Sequence, residues 1–219
     1  MEKKGKLIVI EGLDGSGKAT QAKALYQALA DRGEMVRAVS FPDYASDSSA
    51  LVKMYLRGDF GAEPGDVNAY AASAFYAVDR YASFKRGWED FYRAGGTVVA
   101  DRYTTSNAVH QCSKLPEEQW DGFLRWLFHF EYDLLAIPAP DRVIYLRTSA
   151  ETTHDLLLKR YGGDVSREDI HEADAAYMAR SRMAAEFCAR HLGWTAVECL
   201  RQGVMHPVED IHAEITGLL

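Results

Sequence analysis

Residues 7–18, LIVIEGLDGSGK, constrain the fold more than any other stretch of the chain. Leu7 to Ile10 is a short unbroken apolar run, which fits a strand buried on both faces. A glycine-rich turn follows, and from Lys18 to Leu29 the positions Ala22, Leu25 and Leu29 recur at helical spacing, with Gly33 as a natural stop. A strand that passes through glycines into a helix aims backbone N–H groups and the helix dipole at one point, where an anion can bind. The turn has the form G-x-x-x-x-G-K, with Gly12, Gly17 and Lys18 at its fixed positions. Gly12, Gly15 and Gly17 let the backbone close around phosphate, and Lys18 reaches the outer two phosphates of a nucleotide. With Ser16, Ala19 and Thr20 these residues make up the predicted nucleotide phosphate segment. Ala19 stands where the pattern usually has a Ser or Thr that ligates magnesium.

Further short apolar strands are predicted at Val36 to Phe41, Thr97 to Ala100, Val143 to Leu146 and Thr195 to Cys199. Helical stretches separate them: Leu51 to Leu56, Val67 to Arg93, Glu117 to Phe130, Ala150 to Tyr161, Glu172 to His191 and Pro207 to Leu218. Strands and helices alternating in this way imply an α/β fold, a parallel sheet covered by helices on both faces, with ligands at the carboxyl ends of the strands. The chain of 219 residues is expected to form one domain. The polar, glycine-rich segment Tyr161 to Asp169 lies between two helices and has the composition of a segment able to move, a candidate lid.

A formal net charge of -7 argues against a dedicated nucleic-acid binder, so an anionic ligand must be held by local positive groups. No run is long enough to span a bilayer. The apolar run near the N-terminus is too short for a signal-peptide core, and Cys112, Cys188 and Cys199 form no C-x-x-C pair. The chain is expected to be a cytoplasmic protein with reduced thiols.

Three further features bear on chemistry. TVVADRY, residues 97–103, is an apolar strand ending in Asp101, where doubly wound folds commonly hold magnesium beside the phosphate loop; the alternative is a helix-capping aspartate. Tyr76 and Arg80 are four apart and share one helix face, so a ring could stack on a base while a guanidinium meets its carbonyl. The same spacing also suits the edge of a core with a solvated charge. Lys159, Arg160 and Arg167 surround the lid segment and could cover a migrating phosphoryl group, or belong to an ordinary polar loop.

Together these stretches resemble the thymidylate kinase family, over nearly the whole chain and in the expected order. EGLDGSGKATQ resembles its phosphate loop, FPDY at 41–44 the element shaping its monophosphate site, AFYAVDR its helix motif, and DRYTTSNAVHQ at 101–111 its DRY-x-x-S signature. The resemblance implies a P-loop three-layer sandwich with a five-stranded parallel sheet, and transfer of phosphate from ATP to dTMP with Mg²⁺. It implies that Phe41 and Tyr44 shape the acceptor site, that Tyr76 stacks on the base and that Arg80 contacts it. Arg102 binds the acceptor phosphate, and Ser106, Asn107 and Gln111 line the base and sugar pocket. Asp14 meets the sugar hydroxyl or helps organise metal. Gly15 stands where one branch of the family has arginine, so the catalytic arginine is expected from the lid, Arg160 first and Arg167 second. DIHEADAAYM, residues 169–178, resembles the helix that closes the lid, and a homodimer is implied. The sequence departs at Ala19, at Tyr76 in place of the commoner Phe, and at Arg147, where an acidic residue often ends the fourth strand. Without a hydroxyl at position 19, magnesium is expected to rely on phosphate oxygens, water, Asp101 and Asp14. Thr20 is turned about 100° further around the helix and is a poor substitute. Another acceptor on the same fold (dUMP or a deoxynucleoside), a nucleotide switch, or a binding protein without turnover remain alternatives.

Overall fold

The structure, a computed structural model, describes residues 4–153, 156 and 174–219. Five strands, β1 (Lys6–Gly12), β2 (Val36–Ser40), β3 (Thr97–Asp101), β4 (Arg142–Arg147) and β5 (Thr195–Glu198), form one sheet in the order β2-β3-β1-β4-β5. Every pairing in that sheet is parallel. The expected α/β class and parallel sheet are therefore present.

Side chains alternate along β1, and both faces are apolar. Ile8 and Ile10 pack with Leu25 and Leu29 of α1 (Lys18–Asp31) and with Ile211 and Ile215 of the C-terminal helix Val208–Gly217. Leu7 and Val9 face the opposite way, toward Phe84, Trp88 and Tyr92. On that second face lie α2 (Ala50–Leu56), α3 (Ala69–Ser83), α4 (Glu89–Arg93), α5 (Thr104–Cys112), α6 (Trp120–Phe128) and α7 (Ala175–His191); the C-terminal helix is α8.

Several elements differ from the sequence-based expectation. The predicted helix from Val67 to Arg93 is interrupted by a π-helical turn, Phe84–Trp88, between α3 and α4. A second π-helical segment, His129–Leu134, continues α6. Helix α5 is absent from the predicted helical stretches, because its first turn is the polar, β-branched run TTSN. A small antiparallel hairpin, β6 (Leu200–Arg201) and β7 (Val204–Met205), was also missed; Gln202 and Gly203 at its tip have positive φ. The predicted helix from Ala150 is helical over 150–153. Its continuation, the lid segment, Lys159, Arg160 and Arg167 lie outside the described residues.

None of the described helices is long and apolar enough to cross a membrane. Cys112, Cys188 and Cys199 are buried and unpaired. Arg147 joins three elements on the far side of β4, its Nε and Nη2 donating to Glu186 of α7 at 2.8 and 2.9 Å and its Nη1 to Glu198 of β5. The face built on α1 depends on shape: Leu25→Ala should cost about 3 kcal/mol of stability, measured by urea unfolding, because a fully buried leucine leaves a cavity. A change below about 1 kcal/mol would mean this helix is not seated on the sheet as described.

Candidate active site

The parallel pairing of β1 and β3 sets Ile10 beside Asp101. The loops that follow the two strands are therefore neighbours at the carboxyl edge of the sheet, the place such folds use for ligands. Between them opens a cleft of about 650 Å³.

One wall is the glycine loop. Gly15 has φ +79°, and a Cβ built on it would lie 2.4 Å from the carbonyl oxygen of Thr153. A side chain at this position would strain the loop and press on the backbone of Thr153. Gly17 caps α1 in a left-handed conformation, φ 86°, with no side-chain cap, so the first N–H groups of the helix are left for a ligand. Gly12 and Ser16 are packed behind the loop. A Cβ on Gly12 would come within 2.5 Å of Ser16 Oγ, which is buried and without a hydrogen-bond partner. Lys18 donates from Nζ to the carbonyl of Leu13 at 2.7 Å and lies 3.8 Å from Asp14. Ala19 and Thr20 are exposed on the cleft rather than buried in it.

The opposite wall begins at Arg102, which follows β3 in a left-handed conformation, φ 65°. A non-glycine residue pays for that geometry, on the order of 1 kcal/mol, and holds it only where its surroundings demand it. Here the guanidinium turns back across the cleft: Nη2 pairs with Asp14 and Nη1 donates to Ser106 Oγ at 3.3 Å. Arg102 and Lys18 thus meet on one carboxylate. Burial alone would raise the pKa of Asp14, but the charges of Arg102 and Lys18 overcome it and hold the carboxyl well below its ordinary range. Burial and the nearby Arg102 lower Lys18 to about 8, against partial compensation from Asp14, Glu11 and Asp101.

Helix α5 supplies the floor. Ser106, Asn107, His110 and Gln111 line the cleft from one helix face. Gln111 is fully buried, and neither its Nε2 nor its Oε1 has a hydrogen-bond partner. An amide so placed can offer a donor and an acceptor together to a base edge. Asn107 donates to the carbonyl of Ser73 at 3.2 Å, which fastens α5 to α3. From α3 come Tyr76, edge-on to Tyr55 at 6.4 Å between ring centroids, and Arg80. Phe41 and Tyr44 reach the cleft from the segment after β2.

Asp101 bears on the metal question. Its Oδ1 is buried without a hydrogen-bond partner, and its Oδ2 accepts only a long bond, 3.4 Å, from Ser40 Oγ. The described residues contain no group of three or more His, Cys, Asp or Glu able to hold a metal ion. A free carboxylate oxygen beside a phosphate loop fits a cation that completes its shell with phosphate oxygens and water, while Asp14 is already committed to Arg102.

Three residues were passed over in the sequence. Glu11, buried at the end of β1, accepts from Thr105 Oγ1 at 2.6 Å, from Ser106 Oγ at 2.8 Å and from the Gly12 amide at 2.9 Å. It pins the uncapped N-terminus of α5 to the phosphate loop, where its charge also suits the helix dipole. An acid inside an apolar strand was the available signal. His110 lies within 3.4 Å of Arg102 and takes Tyr177 of α7 on its backbone carbonyl at 2.9 Å. Burial first, and then Arg102, lower its pKa to about 3, so it is neutral at physiological pH. It would have stood out had α5 been recognised, since 106, 107, 110 and 111 then share a face. Glu131 is the third, bound to Arg80.

The cleft sets a glycine loop of the phosphate-binding form on one wall against an arginine with aromatic side chains on the other. That defines the class, an α/β phosphotransferase of the P-loop kind. Comparison with known proteins narrows it. A thymidylate kinase family profile matches residues 10–214. The thymidylate kinase of Mycobacterium tuberculosis (strain ATCC 25618 / H37Rv) is 32% identical over 191 residues, covering 86% of this chain and 87% of the relative. That of Caenorhabditis elegans is 31% identical over 159 residues, covering 68% of this chain and 66% of the relative. The solved thymidylate kinase from Candida albicans matches 98% of this chain and 91% of its own with a TM-score of 0.71, at 19% identity, a likeness of fold. The chain belongs to the thymidylate kinase family.

The lowered pKa of Lys18 has a measurable consequence. If the charged amine of Lys18 holds phosphate, affinity for ATP should be greatest near neutrality and fall, by up to about tenfold per pH unit, as pH rises through about 8. Titration calorimetry at about pH 8.5 in buffers of different ionisation enthalpy should show proton uptake on binding, absent in Lys18→Met. Equal heats in both buffers for the wild-type protein would contradict the assignment.

Proposed function

We propose a division of labour in which the residues of this cleft carry out the reaction of the family, ATP-dependent phosphorylation of dTMP to dTDP. An oxygen of the dTMP phosphate attacks the γ-phosphorus of ATP, the new O–P bond forms, and the bond to the β-phosphate oxygen breaks, leaving ADP. The acceptor is already an anion near neutral pH, so positioning and charge neutralisation dominate over base catalysis.

The amides of the loop from Gly12 to Ala19 and the N-terminus of α1 hold the donor phosphates, with Lys18 on the outer two. Arg102 holds the acceptor phosphate. The observation that carries this reading is that Lys18 and Arg102, one from each wall, share the carboxylate of Asp14. Before substrates arrive, Asp14 keeps the two cations together against their repulsion; afterwards, their common location is where donor and acceptor phosphates meet. Tyr76 stacks on thymine, and Arg80, Asn107 and Gln111 read its edge, with Phe41, Tyr44 and Ser106 closing the nucleoside site. Asp101 would hold Mg²⁺, which neutralises charge on the phosphate oxygens when bound. A further cation comes from the lid at about 160–170, Arg160 first and Arg167 second. The chain acts as a single domain in a cytoplasmic homodimer.

A coupled assay across dTMP, dUMP, dCMP and a deoxynucleoside tests the acceptor: dTMP should give the highest kcat/KM. Lys18→Ala should lower kcat by about 10²–10³-fold with the melting transition retained. Near-normal turnover in that variant, or no turnover of any acceptor by the wild-type protein, would overturn the assignment.

A further inference from the structure

Arg80 lies on the wall of the cleft, yet only 1% of its surface meets solvent. An arginine side chain carries five N–H donors in a planar fork, and which of them faces a ligand depends on what grips the rest. Glu131 grips it side-on: Nε donates to Oε2 at 2.7 Å and Nη2 to Oε1 at 2.5 Å. Glu131 is itself fully buried, and its Oε2 also accepts from Thr104 Oγ1 at 2.7 Å. Burial would lower the pKa of a lone arginine, but the charge and hydrogen bonds of Glu131 raise it instead, so Arg80 stays a cation inside the protein.

The backbone is arranged for this contact. Glu131 sits in the π-helical segment His129–Leu134, where it is the buried residue, while His129 and Asp133 pair with each other at the surface. Such wide turns shift the phase of the side chains that follow and are frequent at functional sites.

We propose that Glu131 is a positioning residue for acceptor recognition: by taking the N–H of Nε and one N–H of Nη2 it leaves the other edge of the Arg80 fork, Nη1 with the second N–H of Nη2, as the donors presented to the acceptor base. This rests on the reading of that half of the cleft as the nucleoside site. A guanidinium has no acceptor atom, so a base with a carbonyl at that point is matched, while one with an amino group sets donor against donor. That discrimination requires an arginine that cannot swing aside. Thr104, by its bond to Oε2, holds the carboxylate that holds the arginine.

The test compares wild type, Glu131→Gln and Thr104→Val with dTMP and dCMP as acceptors at saturating ATP, alongside melting curves. Glu131→Gln should raise the KM for dTMP about tenfold, change kcat less than about twofold, and reduce the preference for dTMP over dCMP about tenfold. Thr104→Val, which removes one donor at nearly constant volume, should move KM and preference in the same direction by about threefold. If Glu131→Gln does not fold, Thr104→Val decides. Variants that melt earlier yet keep the wild-type KM and base preference would overturn the positioning role while leaving the dTMP kinase reading standing. A wild-type protein that does not phosphorylate dTMP would overturn that reading, and this proposal with it.

Discussion

The carboxylate of Asp14 is the interaction on which the site depends. It comes from the glycine loop after β1 and binds Arg102, the residue after β3, while Lys18 stands 3.8 Å away. Two cations facing each other across a buried cleft would repel strongly without an anion between them. With Asp14 in place they are held close, and a pair of phosphate groups can later take over part of that neutralising role. The left-handed turn at Arg102 serves the same contact, since an extended residue there would carry the guanidinium on along the strand.

A second carboxylate repeats the device. Glu131 fixes Arg80 on the α3 side of the cleft as Asp14 fixes Arg102 beside the glycine loop, and Glu11 fastens the start of α5. Each buried acid satisfies hydrogen-bond donors from another part of the chain, which is what makes it tolerable away from water. The outcome is a cleft whose two arginines are each held by a carboxylate, and charges fixed in this way are the ones that contribute most to phosphoryl transfer.

Much of this was legible in the sequence because the signals are local. The strand, glycine loop and helix at 6–31 declare themselves by periodicity and by G-x-x-x-x-G-K, and Asp101, Tyr76 and Arg80, singled out from their places at a strand end and on a helix face, all line the cleft. What was missed depends on partners distant in the chain. Glu11 meets Thr105 across 94 residues and Glu131 meets Arg80 across 51, and no spacing rule in a single sequence links such pairs. Glu131 was further hidden by the π-helical turn, which breaks the 3.6-residue period that would place it on a face. His110 was lost with α5, whose threonines and asparagine favour caps and turns when taken alone.

In the proposed reaction, donor and acceptor phosphates meet at the junction of Lys18, Asp14 and Arg102. The most direct measurement of that meeting is calorimetric binding of a single molecule in which adenosine and thymidine are joined through a chain of five phosphates. One ligand that spans both halves should bind at least about 10²-fold more tightly than ATP or dTMP alone, and lose that advantage in Arg102→Ala. A joined ligand that binds no more tightly than ATP, with its thymidine end contributing nothing, would contradict the account.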